Sequence, residues 1–173
     1  MNSVGIIGLG RFGKVLASIL QKGYQISGYD IEEISPLPGI EFHNLEKVLE
    51  EDVIFIAVPI RHFKSLIVDI APRLNKGTTV IDVCSVKSYP AEIMKKFLSQ
   101  DIGIIATHPM FGPDSFLTNK KLKMMMHNVH DINNQFSLWK EFFKNQRVEI
   151  IEMSPDEHDR LAARSQGITH FLG

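Results

Sequence analysis

The sequence predicts an α/β fold, in which a doubly wound, mostly parallel sheet carries helices on both faces and a further helix follows. Three observations predict it. Short, continuously apolar runs recur along the 173 residues, as in strands that are covered on both faces of a parallel sheet. Stretches of helical length with an apolar stripe separate the runs, and the connections are short. Such alternation indicates βαβ units with right-handed crossovers.

The apolar runs predict the strands, and the amphipathic stretches between them predict the helices. In the first helix Phe12, Leu16 and Ile19 share one apolar stripe, and Lys22-Gly23 marks its end. The predicted strands are Val4–Gly8, Gln25–Tyr29, Val53–Val58, Thr78–Val83, Gly103–Thr107, Leu122–Val129 and Val148–Ile151. The predicted helices are Arg11–Lys22, Asn44–Glu51, Ile60–Leu74, Ala91–Gln100 and Ile132–Lys144.

The composition is that of a globular chain with little net charge. Lys and Arg number 19 against 20 Asp and Glu, which gives a formal net charge of −1. At this balance we expect neither nucleic acid nor a membrane surface as a partner. The single cysteine, Cys84, excludes an internal disulfide and fits a reducing compartment. Because Met1 is not followed by a signal-peptide pattern, the expected location is the cytoplasm.

A glycine-rich turn lies between the first apolar run and the first amphipathic stretch. Gly8-Leu-Gly10-Arg-Phe-Gly13 matches G-x-G-x-x-G, and the preceding strand and following helix give it the context of the Rossmann dinucleotide fingerprint. Gly8 would form the tight turn, Gly10 would let a pyrophosphate approach, and Gly13 would allow close helix packing. The helix start at Arg11 and Phe12 would bind the phosphates. The alternative is a glycine turn without a ligand.

An acidic residue, Asp30, follows the second apolar run about 20 residues after the turn. A carboxylate at this place accepts hydrogen bonds from ribose hydroxyls and repels a 2′-phosphate. No Arg or Lys stands between Ile31 and Glu46 to neutralise such a phosphate. The predicted cofactor is therefore NAD, with NADP less favoured. The alternative is that Asp30 is only a turn residue.

Later strand ends carry the other candidate site residues, because ligands of doubly wound sheets bind beyond the carboxyl ends of the strands. Val58 and Pro59 follow one such strand and are assigned to the cofactor. His108, predicted in a Pro- and Gly-rich loop after another strand, could be the base that takes a proton from a carbinol. Ser85 could hydrogen-bond that hydroxyl or the imidazole. The alternatives are a loop histidine satisfied by backbone groups and a serine that caps a helix.

Three motifs occur in order through the rest of the chain: Ile81-Asp-Val-Cys-Ser-Val-Lys87, Thr107-His-Pro-Met-Phe-Gly-Pro-Asp-Ser115, and Glu152–Arg160 with Ser165-Gln-Gly-Ile-Thr-His170. Together they resemble the prephenate/arogenate dehydrogenase family, in its plant-like branch. The resemblance covers nearly the whole chain, and the joint pattern is specific. It implies NAD-dependent oxidative decarboxylation in tyrosine biosynthesis: hydride leaves the ring carbon that bears the hydroxyl, carbon dioxide is lost, and the ring becomes aromatic.

The resemblance also implies roles for individual residues. His108 would be the base at the substrate hydroxyl, and Ser85 would orient the hydroxyl and His108. His170 would lie near the substrate as a further catalytic residue, and His158 would support the substrate site. Lys87 receives no firm role and could simply be solvated.

The family continues into a helical domain that forms a homodimer and supplies an arginine to the substrate. Ser154 as N-cap and Pro155 at the first helical position predict the start of a helix. Residues 1–153 would then be the dinucleotide-binding domain, and residues 154–173 the start of a truncated helical domain. We expect such a chain to bind NAD and to turn over substrate poorly.

The choice between prephenate and arogenate depends on one alignment. In the plant-like branch an acidic residue near the end of the strand before the Ile132 helix favours arogenate, and a neutral residue favours prephenate. Asn128 at that place favours prephenate as a substrate contact. A small gap would put Asp131 there and reverse the preference.

Two other functions compete with this interpretation. One is a different Rossmann dehydrogenase, of the β-hydroxyacid or imine reductase type, which leaves the His108 and His170 motifs unexplained. The other is a non-catalytic NAD-sensing or interaction module with docking surfaces at Met124–Met126 and Phe136–Phe143. We expect these two segments to be a buried strand and the apolar face of a helix instead. No metal site is expected, and Cys84 is expected to pack as a small hydrophobe rather than act as a nucleophile.

Overall fold

The computed structural model describes residues 3–118 and 121–171, with the side chains of residues 115, 117 and 165–171 outside the description. Strands and helices alternate along the chain. The strands are β1 (Ser3–Ile7), β2 (Gln25–Tyr29), β3 (Ile40–Phe42), β4 (Val53–Ile56), β5 (Thr79–Asp82), β6 (Gly103–Pro109), β7 (Leu122–His130) and β8 (Val148–Glu152). The helices are α1 (Arg11–Leu20), α2 (Leu45–Val48), α3 (Ile60–Ile70), α4 (Ser88–Phe97), α5 (Pro113–Leu117), α6 (Gln135–Asn145) and α7 (Pro155–Phe171).

These residues form one eight-stranded sheet in the order β3-β2-β1-β4-β5-β6-β7-β8. The first six positions follow the Rossmann order, in which the chain switches direction between β1 and β4. Neighbours from β3 to β6 are parallel. The predicted doubly wound, mostly parallel α/β fold is confirmed.

Hydrophobic clusters cover both faces of the sheet, as the continuous apolar runs predict. On one face α1 and α6 pack on the strands, and Trp139 and Phe143 contact Phe55 edge-on. On the other face α3 and α4 pack through residues such as Phe63 and Met94. Met124–Met126 are fully buried. The segments considered as docking surfaces are therefore mostly core.

Two strands, β7 and β8, run opposite to the other six, and the short elements β3 and α5 were not predicted. β7 is antiparallel to β6, because the short α5, the helix described between them, cannot carry the chain back along the length of β6. The edge strand β3 has a half-buried and mostly exposed pattern rather than an apolar run. α4 begins at Ser88 rather than Ala91, since Pro90 is tolerated in a first turn where its missing N–H needs no partner.

The start of α7 agrees with the predicted cap. The N–H of Glu157 donates to Ser154 Oγ at 3.2 Å, and the N–H of His158 donates to Ser154 O at 3.0 Å. In the described part of the chain, no helix combines the length and the apolar character needed to cross a bilayer.

Candidate active site

A cleft of about 1150 Å³ opens at the carboxyl ends of the parallel strands. The turn between β1 and α1 forms one wall, the end of β2 and the start of α3 form others, and the ends of β5 and β6 close it. The cleft therefore lies at the switch point between β1 and β4, where doubly wound folds bind their ligands. The predicted site residues that line it are Gly8, Gly10, Arg11, Phe12, Asp30, Val58, Pro59, Ser85 and His108.

The three glycines of the turn have different environments. Gly8 has a φ of +98°, and a Cβ there would lie 2.6 Å from Ala57 O. A Cβ on Gly13 would lie 2.1 Å from Gly8 O, so α1 packs directly on the turn. A Cβ on Gly10 would meet nothing within 4 Å. The first and third glycines thus serve the backbone, and the second leaves open space on the side of the cleft.

The start of α1 is arranged to bind an anion. Gly10 is its N-cap and offers no side-chain cap, and the first turn contains no acidic residue. The free N–H groups of the first turn and the helix dipole favour a negatively charged group at this position. The turn therefore fits the pyrophosphate of a dinucleotide.

Asp30 lines the cleft and also holds the glycine turn. Its Oδ2 accepts a hydrogen bond from Leu9 N–H at 2.6 Å, and its Oδ1 accepts one from Glu32 N–H at 3.0 Å. The alternative role as a turn residue is thus real. It does not exclude the ribose role, because an ionised carboxylate has about four lone-pair directions.

Several side chains in the cleft were not assigned to it from the sequence, two of them at the start of α3. Arg61 and His62, at the start of α3, both line it, and Arg61 Nε donates to His62 Nε2 at 2.9 Å. Their position directly after Val58-Pro-Ile60 was a usable signal, because that segment follows a strand end.

His108 belongs to β6 rather than to the predicted loop after that strand. Pairing with Met125 of β7 extends the strand through Pro109. His108 is half-buried, and its Nδ1 lies 2.8 Å from His158 Nε2. His158 is buried, and its Nδ1 lies 2.8 Å from Asp159 Oδ1.

This chain of three residues assigns the protons. Burial pushes the pKa of Asp159 upward, but hydrogen bonds from Ser88 N–H, His158 and Lys87 N–H lower it to about 2. Asp159 is therefore an acceptor, and His158 Nδ1 donates to it. With a single proton on its ring, His158 accepts at Nε2. His108 then donates from Nδ1, which leaves Nε2 with its lone pair available to the cleft.

The environment also keeps His108 neutral. Burial, then His158 and then Lys87, lowers its pKa to about 4 against an opposing effect of Asp159. A histidine that is neutral at physiological pH can accept a proton without first losing one. The geometry and the protonation state together allow His108 to accept a proton from a group in the cleft.

Ser85 and Cys84 differ sharply in exposure. Ser85 is exposed and lines the cleft together with His108. The sequence predicts either the substrate hydroxyl or the imidazole as the partner of Ser85. His108 Nδ1 is bonded to His158, which leaves Nε2 on the side of the cleft. Cys84 is buried, and burial raises the pKa of its thiol to about 12. Cys84 packs as a small hydrophobe, as predicted.

The prediction that the Lys87 side chain could be solvated is wrong, because this side chain is completely buried. Its ammonium group contacts Asp82 Oδ2 and the carbonyl of Thr107. Burial raises the pKa of Asp82 while the Lys87 charge opposes that shift. The ends of β5 and β6 thus supply the two acceptors, Asp82 Oδ2 and Thr107 O, that compensate for burial of the ammonium group.

The structure does not bring Asn128 to the cleft. Asn128 is exposed on β7. It pairs with Ile105 of β6, which lies three residues before His108. Because β7 is antiparallel, its carboxyl end lies at the opposite edge of the sheet, and Asp131 there accepts Phe136 N–H at 3.2 Å. The side chain of His170 lies outside the described residues.

Fold and cleft together define a Rossmann-type nucleotide-binding domain. A family model described as the nucleotide-binding domain of prephenate dehydrogenase matches residues 16–152. The chain belongs to this family.

Several known proteins are similar to this chain. A probable arogenate/prephenate dehydrogenase of Methanocaldococcus jannaschii is 31% identical over 96% of this chain, and arogenate dehydrogenase 1 of Arabidopsis thaliana is 32% identical over 98%. The chain spans only 39% and 29% of the lengths of these two relatives. Among solved structures, Aquifex aeolicus prephenate dehydrogenase in complex with hydroxyphenyl propionate and NAD+ has a TM-score of 0.75 and 23% identity, covering 93% of this chain and 63% of that one.

Proposed function

We propose that this chain is the NAD-binding domain of a dehydrogenase that oxidatively decarboxylates prephenate to 4-hydroxyphenylpyruvate, or arogenate to tyrosine. The observation that carries the proposal is one cleft with an anion-binding helix start and a neutral histidine base on its walls. Family membership supports the reaction, and the names of the relatives support this pair of substrates.

Each group in the cleft then has a task. The N–H groups at the start of α1 bind the pyrophosphate, and Asp30 binds the adenosine ribose. NAD, when bound, supplies the hydride acceptor. His108 Nε2 takes the proton of the substrate hydroxyl, which Ser85 orients by a hydrogen bond. His158 supports the substrate site through its hydrogen bond to His108, and His170 is expected near the substrate.

The proposal extends to the organisation of the protein. Residues 1–153 form the dinucleotide-binding domain, and residues 154–173 begin a helical domain that completes the substrate site and forms a homodimer. The greater length of the relatives supports this division. The cytoplasm is the proposed location, although the named Arabidopsis relatives are chloroplastic.

Titration with NAD and NADP tests the cofactor assignment. We expect NAD to bind at least about tenfold more tightly than NADP, because the Asp30 carboxylate repels a 2′-phosphate. Asp30→Asn keeps an acceptor for Leu9 N–H but removes the charge, and it should bring the two affinities together. Glu32→Gln, in the same cleft, is the control and should leave the preference intact. Equal affinities for NAD and NADP in the unmodified chain would refute the assignment.

A further inference from the structure

A buried ion pair lies beneath the proposed site. The side chains of Asp82, at the end of β5, and Lys87, just before α4, are both 0% exposed. The Lys87 ammonium also donates to the carbonyl of Thr107, whose hydroxyl donates to Asp82 O at 2.6 Å. Asp82 and Lys87 are the two ends of the turn that carries Ser85. Both are therefore hydrogen-bonded to Thr107, the residue directly before His108.

The backbone of Lys87 makes a second connection. Its N–H donates to Asp159 Oδ1 at 2.8 Å, the same oxygen that accepts the hydrogen bond of His158 Nδ1. The N–H of Ser88 donates to the other oxygen at 2.8 Å. Lys87 thus contacts β6 at Thr107, directly before His108. It also contacts the Asp159 carboxylate of α7, which is hydrogen-bonded to His158.

A general stabilising role explains this arrangement poorly. Two charges lose their hydration on burial, and a well-packed apolar pair is often as stable or more stable. Asp82 Oδ1 is, in addition, buried without a hydrogen-bond partner among the described residues. Such a network gains little free energy of folding, but its directional bonds fix the geometry of the groups that it joins.

We propose that Lys87 is a positioning residue, whose buried ammonium and backbone N–H fix the Ser85 turn, His108 and the Asp159–His158 pair relative to one another. The inference deepens the proposed function, because it concerns the histidine proposed as the base. Its test needs neither cofactor nor turnover.

The ionisable groups that face His108 come from two elements. His158 and Asp159 approach from α7, and Lys87 approaches from the start of α4; the β7 partner, Met125, is uncharged. Without the Lys87 charge, His108 should be easier to protonate. With the turn released, its hydrogen bond to His158 should no longer select one tautomer.

Long-range proton–nitrogen NMR spectra of the histidine-labelled chain measure both properties. We expect Lys87→Met to raise the pKa of His108 by about one unit and to convert its single Nδ1-protonated tautomer into a mixture. Spectra of His108→Asn assign the signals. Lys76→Met removes a lysine from an exposed pair with Asp101 and should change neither property.

The variant Asp82→Leu/Lys87→Met removes both charges and serves where the single variant fails to fold. It should show the same tautomer mixture, with a smaller upward shift of the His108 pKa because the opposing Asp82 charge is removed as well. A folded variant with the tautomer and the pKa of the unmodified chain would overturn the inference, and so would loss of folding in both variants, because the pair would then stabilise the fold as a whole. These results remain readable even where NAD titration fails.

Discussion

At the residue scale, the chemistry of the site depends on which nitrogen of His108 carries a proton. Asp159 is fixed as an acceptor by two backbone N–H groups. His158 makes a hydrogen bond of 2.8 Å to Asp159 at Nδ1 and another of 2.8 Å to His108 at Nε2. The acceptor role of Asp159 therefore determines the proton position on His108 as well. The ionised Asp159 carboxylate, acting through His158, therefore leaves the Nε2 lone pair of His108 facing the cleft.

The same burial predicts a pH dependence of stability. His108 has a pKa of about 4 in the folded chain against 6.5 ordinarily. Between these values the unfolded chain binds a proton that the folded chain does not, so the free energy of unfolding falls as the pH falls from about 6.5 to about 4. Asp159 has a lowered pKa of about 2, so its stabilising contribution is lost only below that window.

Urea unfolding at about pH 7 and about pH 4.5 measures this effect. The unmodified chain should lose more stability between the two than His108→Asn, which carries no titrating ring. His130→Asn, at an exposed histidine, is the control and should lose as much as the unmodified chain. Identical losses in all three proteins would show that His108 is not held neutral.

At the element scale, the apolar runs predict the buried strands well because burial on both faces leaves a continuous signal. β2 matches its predicted range, and the core strands differ only at their ends. β3 lacks that signal because an edge strand with an exposed Glu41 buries little. The direction of β7 depends on how far α5 carries the chain, which apolar pattern does not report.

The glycine turn gives a prediction with a built-in comparison. Gly13→Ala would put a Cβ 2.1 Å from Gly8 O, a backbone atom that cannot rotate away. We expect it to lower the free energy of unfolding by about 2 kcal/mol or more. Gly10→Ala enters open space and should cost less than about 1 kcal/mol.

Nucleotide affinity separates the two variants further. Gly10→Ala should weaken NAD binding by at least about tenfold, because the methyl group occupies the approach of the pyrophosphate. Calorimetric titration and urea unfolding measure the two effects independently. A stable Gly10→Ala protein with unchanged NAD affinity would place the phosphates elsewhere.

At the scale of the whole molecule, the site is assembled from distant parts of the chain. The glycine turn and Asp30 could be predicted because the fingerprint is local. The bond between Lys87 N–H and Asp159 joins residues 72 positions apart, and no periodicity reports such a contact. Family motifs identified His108 and His158 as site residues, but only the packing of α7 against α4 shows how they act together.

The last prediction concerns what these 173 residues do as one molecule. The cations that line the cleft in its described part, Arg11, Lys14 and Arg61, lie on α1 and α3, on the cofactor side. Prephenate carries two carboxylates, and no cation besides these faces it in the described cleft. We therefore expect NAD to bind and substrate to be turned over poorly.

NAD at about 100 times its Kd should stabilise the chain by about 2.7 kcal/mol, which raises Tm by roughly 5–10 °C. Gly10→Ala, the control, should lose about half of that increase or more at the same NAD concentration. Sustained NADH formation with prephenate or arogenate would show instead that this cleft is a complete active site.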